Sequence, residues 1–268
     1  MKKSNKQINL ESKILNMLSD KVLKTAEIIF NHKELQAMQD YANIVSIKRL
    51  GFNDHGPVHM RKAALNAMLM FNLLEDKGIK LNLESEGVAE NSDSKVAVFI
   101  ASILHDLGMT VARDSHEWIS MVMAYKYIDE ILDQIYSAKE LLQKIAVRSL
   151  VMEGIFGHMA THKIHSLEAG LVLVADGCDM EEGRARIPSL LRNEPKVGDI
   201  HKYSASSIQR VHISEGDEKP IKIEIKMSQS VGLFQIEEVL FPKILSSPVK
   251  PFIELYAQVR DQEKLKYL

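Results

Sequence analysis

Residues 96–107 read Val-Ala-Val-Phe-Ile-Ala-Ser-Ile-Leu-His-Asp-Leu. A run this apolar is comfortable only in a core, yet it ends by delivering an imidazole and a carboxylate side by side. A buried carboxylate is costly unless something pairs with it. A divalent cation pairs with both side-chain types at once. A solitary His-Asp pair is more often a helix end beside a satisfied core histidine, so the weight falls on the other histidines.

His59 follows a loop broken by Gly51, Gly56 and Pro57, and it opens a helix over 59–74 with Ala63, Ala64, Ala67, Met68 and Phe71 inward. His55 stands four residues earlier, but Gly56-Pro57 prevents a continuous helical pair. His116 occupies the first turn of another helix, capped by Asp114 or Ser115, with Trp118, Ile119, Val122, Met123 and Tyr127 as its expected buried face. Position 120 is Ser, so His116-Glu117 is not a zinc-protease motif. His158, His162 and His165 fall at a helix end and in the loop after it, ahead of a helix capped by Ser166. That helix is apolar over 167–175 and closes on Asp176, although a helix C-terminus is a poor place for a carboxylate. A charged run like 179–188 is usually solvated surface, but following Asp176 directly it could instead line the mouth of the expected site, with Arg184 and Arg186 as anion binders.

The remaining chain reads as scaffold. Residues 8–47 predict two amphipathic helices, 80–95 an exposed loop and 129–152 further helix. From about residue 200 the apolar period becomes two. Strands over 208–213 and 221–227 form a hairpin, followed by a helix over 234–245 and a strand over 252–259. The expected fold is mainly α: a helical bundle over 1–195 and a small α+β (ββαβ) module over 200–268, acting in dimerisation, as a lid or in regulation. The formal charge of −2 supplies no basic field, and no basic patch interleaves with aromatics, so nucleic acid is not an expected partner. One cysteine, Cys178, excludes internal disulfides and a cysteine-rich zinc site. The polar start is unlike a signal peptide, and no stretch approaches the roughly 20 apolar residues that span a bilayer. The expectation is a cytoplasmic protein without a membrane partner. Aliphatic and Met-rich helix faces hint at a homodimer.

The ordered set His59, His105-Asp106, His116, His158 and Asp176 resembles the HD superfamily of metal-dependent phosphohydrolases. There, a His opens a helix, His-Asp-Leu-Gly ends an apolar one, and a distant Asp ends another. The resemblance covers roughly residues 50–190 and implies an HD-type helical bundle. It implies that His59, His105, Asp106 and Asp176 bind a metal ion, and that His116 and His158 hold a second, as in members with two extra histidines. The stretch from His158 to Arg184 is similar to the branch that hydrolyses dinucleoside polyphosphates. The segment around 53–59, with the charged run and the C-terminal module, looks like a little-characterised branch of HD hydrolases. Met109 stands where the family often carries a phosphate-binding Lys, which leaves Arg113, Arg184 and Arg186 as candidate substrate-binding cations.

His and carboxylate ligands without thiolates suit one or two ions of Mn²⁺, Fe²⁺, Co²⁺, Ni²⁺ or Zn²⁺, with Mg²⁺ the poorer match. The expected reaction is hydrolysis of a phosphate ester or anhydride in a nucleotide or small phosphorylated metabolite. Asp106 is the natural bridging ligand, His55 the neighbour of His59 and Arg184 a charge-neutralising group. The general acid is open among Asp179, Glu181, His55, His162 and His165. Two other functions stay open: a non-catalytic nucleotide sensor, and a di-iron oxygenase on the same ligand set.

Overall fold

The computed structural model describes residues 3–182 and 200–268. The first part is helical: α1 (Asn5–Leu15), α2 (Asp20–Asn31), α3 (Lys33–Ile44), α4 (Pro57–Asp76), the one-turn α5 (Asn82–Ser85), α6 (Asn91–Leu104), α7 (His116–Ile135), α8 (Leu141–Gly157) and α9 (Leu167–Gly177). After residue 200 come α10 (Ile200–Ser207), β1 (Ile208–Glu215), β2 (Ile221–Met227), α11 (Phe241–Ser246), β3 (Ile253–Val259) and β4 (Leu265–Lys266). The mainly α expectation holds, with a small sheet near the C-terminal end. The anticipated boundary between 195 and 200 lies largely outside the described residues.

α6 is the centre of the bundle. It packs against α2, α4, α8 and α9, as its apolar sequence demands. A reciprocal cap starts it: Glu90 and Asp93 each accept the other's backbone N–H. Asp93 also accepts from Tyr136 Oη at 2.6 Å and from Lys21 at 2.9 Å, which ties α6 to the end of α7 and to α2. A second buried network fixes the far end. Arg61 on α4 donates to Glu11 (2.7 Å) and Gln39 (2.6 Å), and Gln39 donates to the Ile103 carbonyl (3.0 Å). The start of α4 and the end of α6 are thereby both held to α3 through Gln39, and α4 also to α1 through Glu11.

The sheet order is β1-β2-β3-β4. β1 and β2 form the expected antiparallel hairpin, and β3 lies parallel to β2 from Ile221↔Ile253 to Met227↔Val259. The parallel neighbour requires a crossover. It runs through a three-residue helical turn (Leu233–Gln235), a π-helical segment (Ile236–Leu240) and α11. β4 is an addition to the expected ββαβ order. One continuous hydrophobic core joins helices and sheet, from Leu10 to Val259.

Four local expectations need correction. Residues 8–47 form three helices, because the chain turns at Asp20 (φ 48°) and again at His32, whose Nδ1 accepts from Leu35 N. Residues 80–95 are not simply an exposed loop, since Leu81 and Leu83 are buried anchors either side of the start of α5. Ser115 (φ 57°) makes no side-chain cap on α7. The buried face of α7 is rotated from the expected one: Trp118 and Val122 are 45% and 72% exposed, while His116, Ser120, Ala124, Tyr127 and Ile131 face inward. The inward turn of His116 sets that register.

Candidate metal centre

Five helices deliver the candidate ligands to one buried point. His59 comes from the first turn of α4, His105 and Asp106 from the end of α6, His116 from the start of α7, His158 from the end of α8 and Asp176 from the last turn of α9. All six side chains are buried. Every ligand therefore sits at or near a helix terminus, where backbone geometry fixes it.

Three of the histidines are oriented by one device. The Nδ1 of His105 donates to the Ser102 carbonyl (2.9 Å), that of His116 to the Arg113 carbonyl (2.8 Å) and that of His158 to the Ile155 carbonyl (2.6 Å). In each case the acceptor lies three residues upstream. His59 Nδ1 faces Asp179 Oδ2 at 2.7 Å. A carbonyl or carboxylate oxygen only accepts, so each Nδ1 carries the proton and each Nε2 presents a lone pair.

Those Nε2 atoms converge. His59 and His105 bring theirs within 3.1 Å, and His116 and His158 within 3.0 Å. Asp106 lies between the pairs. Its Oδ2 is 3.2 Å from His59 Nε2 and 3.3 Å from His105 Nε2, and its Oδ1 is 3.2 Å from His116 Nε2 and 3.5 Å from His158 Nε2. Asp176 Oδ1 adds to the first pair, 3.1 Å from His59 Nε2 and 3.7 Å from His105 Nε2. Facing lone pairs repel one another, and Asp106 Oδ2 is buried with no hydrogen-bond donor among the described residues. A positive charge among these atoms removes both costs. His59, His105 and Asp176, and also His105, Asp106 and His158, form groups able to hold a metal ion. The donor set fits a divalent transition metal.

The electrostatics favour ligand forms. Burial alone would raise the Asp106 carboxyl, but His105, His116 and His158 outweigh it and hold the group well below the usual carboxylate value. Asp176 is likewise held well below, burial being outweighed first by Lys243 and then by His59 and His105. Burial pushes His158 down to about 4, leaving a neutral imidazole at physiological pH.

His55 is buried beside His59, with ring centroids 5.6 Å apart and its Nδ1 against the Asn53 carbonyl (2.7 Å) and Ser46 Oγ (2.9 Å). Arg113 reaches the edge of the centre, its Nη1 3.5 Å from His116 Nε2 and its guanidinium over the Phe52 ring. Arg184 and Arg186 lie outside the described residues. Glu181 caps the outer edge of β1, accepting from Val211 N at 3.1 Å. His162 stacks on Phe156 (ring centroids 4.2 Å apart). His165 is exposed.

Lys243 was not anticipated. Its Nζ donates to Asp176 Oδ2 and, at 2.8 Å, to the His158 carbonyl. It arrives on α11, 67 residues beyond Asp176, and no local pattern marks it.

No family model matches the chain, and no solved structure matches it. A curated relative from Methanocaldococcus jannaschii, Uncharacterized protein MJ1020, is 36% identical over 257 residues, spanning 96% of this chain and 94% of the relative. Similarity of that extent covers both the helical part and the sheet, and on it the chain belongs to the same protein family as MJ1020 of Methanocaldococcus jannaschii.

Proposed function

We propose that the chain is a metal-dependent phosphohydrolase of the HD superfamily, acting on a phosphate ester or anhydride of a nucleotide or small phosphorylated metabolite. The observation that carries this reading is the convergence of four Nε2 lone pairs on the two oxygens of Asp106, with every Nδ1 proton directed away. His59, His105, Asp176 and Asp106 Oδ2 would hold one ion. His116, His158 and Asp106 Oδ1 would hold a second. Divalent ions there would lower the pKa of water towards neutrality and neutralise charge on phosphoryl oxygens.

The chain's own groups supply the rest. Asp106 fixes the spacing of the two ligand sets, since each of its oxygens faces one pair of histidines. Arg113, held over Phe52, would bind a phosphoryl oxygen at the edge of the centre. Arg184 and Arg186 are proposed for the same role. His55 has Nδ1 tied to Asn53 and Ser46, so Nε2 is the ring atom at which it could exchange a proton.

The test is a hydrolysis screen of nucleotides, dinucleotides and phosphomonoesters with Mn²⁺, Fe²⁺, Co²⁺, Ni²⁺ or Zn²⁺ supplied, read beside metal content. Turnover is expected in the wild type and background rates in Asp106→Asn, with the helical fold retained. Bound metal with no hydrolysis of any phosphorylated compound would overturn the phosphohydrolase reading.

A further inference from the structure

The C-terminal module meets the metal centre along one face of α9. Gly170 and Gly177 lie seven residues apart, two turns of that helix, and so share a face. A Cβ at Gly170 would fall 2.7 Å from Ser247 Oγ and 3.2 Å from Val249 Cγ1. A Cβ at Gly177 would fall 3.0 Å from Leu240 Cδ1 and 3.1 Å from Lys243 Cδ. The two glycines admit the crossover to near contact with the α9 backbone, and Ser247 Oγ donates to the Gly170 carbonyl at 3.1 Å. This close seat brings Lys243 through to Asp176.

There the ammonium makes two hydrogen bonds. It is buried, and its two acceptors belong to the two ligand sets: Asp176 Oδ2 beside the His59–His105 pair and the backbone carbonyl of His158 beside the His116–His158 pair. With Oδ2 committed to Lys243, Asp176 offers only Oδ1 to His59 and His105. We infer that the C-terminal module completes the metal centre, with Lys243 as a positioning residue that holds Asp176 as a one-oxygen ligand and braces the His158 end of α8 against it. The inference rests on the metal-centre reading. It gives the module a role that the module's own ligand-poor sequence does not suggest.

The test uses the full chain, stripped of metal and titrated with Co²⁺ while its visible absorption is followed. It is run in a His116→Ala background so that the ion held with Asp176 is read alone. Lys243→Met is expected to bind Co²⁺ about 10–100-fold more weakly, as loss of a partner that orients a ligand does. Its visible bands are also expected to change as Asp176 gains freedom to offer both oxygens. Thermal unfolding in chelator checks the fold. Should Lys243→Met fail to fold, Lys243→Gln, which keeps a donor but cannot span the same distance, carries the same expectation. Wild-type affinity and bands in the folded variant, or tighter binding, would overturn the inference. Co²⁺ bound by neither parent nor variant would overturn the metal-centre reading itself, and this inference with it.

Discussion

His59 Nδ1 and Asp179 Oδ2 lie 2.7 Å apart, although 120 residues separate them in sequence. This contact sets which nitrogen of His59 faces the other ligands. Asp179→Asn keeps the size but can present an N–H to Nδ1, which favours the wrong tautomer. Metal affinity is expected to fall about 10–100-fold, with little change in thermal stability of the metal-free protein. Isothermal titration with Zn²⁺ checks it.

Gly108 is closely packed beside the centre. A Cβ there would lie 2.2 Å from the His116 carbonyl oxygen and 2.7 Å from Ser120 N, so the backbone of α7 must move. Gly108→Ala is expected to displace His116 and to lose one of two bound ions while the other stays. Metal content per chain decides this, with His116→Ala as the reference.

Arg61 is 1% exposed and its partners, Glu11 and Gln39, are buried with it. Removing the cation leaves Glu11 with Lys3, at 2.6 Å, as its one charged partner among the described residues. Arg61→Met is expected to cost roughly 3–5 kcal/mol in urea unfolding, the range for breaking a buried pair from one side. It should also loosen metal binding, because Gln39 loses its brace to α4 and with it the shared anchor for the end of α6.

The metal-free protein is expected to weaken in acid. His158 is pushed from 6.5 to about 4 by burial, so between those values the unfolded chain takes up a proton that the folded chain refuses. Stability therefore falls as pH drops from about 6.5 towards 4. Asp106 and Asp176, held well below 3.8, add stability that is complete above that value and is lost as pH falls towards their folded values. Denaturation midpoints in chelator across this range test the slope, and His158→Gln should flatten the part above 4.

The six clustered residues could be picked out in the chain because their order resembles the HD superfamily and because most have a local mark: a first turn after a break, or the end of a helix. What could not be read was set by distance. Lys243 is one cation among apolar neighbours, and only the crossover brings it to Asp176. Asp179 reads as a candidate acid in a charged run beside the site, but its burial against His59, 120 residues away, has no local mark. The face of α7 was misjudged because Trp118 and Val122 are apolar and still exposed, the helix being turned to bury His116. The break at Asp20 carries neither Gly nor Pro, and so the first two helices merged in the sequence.

The crossover that carries Lys243 is bounded on both sides by strands in fixed parallel register. Synthesis on the ribosome proceeds from one end, so Asp176 is made and can be enclosed 67 residues before its ammonium partner exists. Before Lys243 is in place, the Asp176 carboxylate would need solvent or a captured ion. Folding of the small sheet is thus the event that finishes the centre.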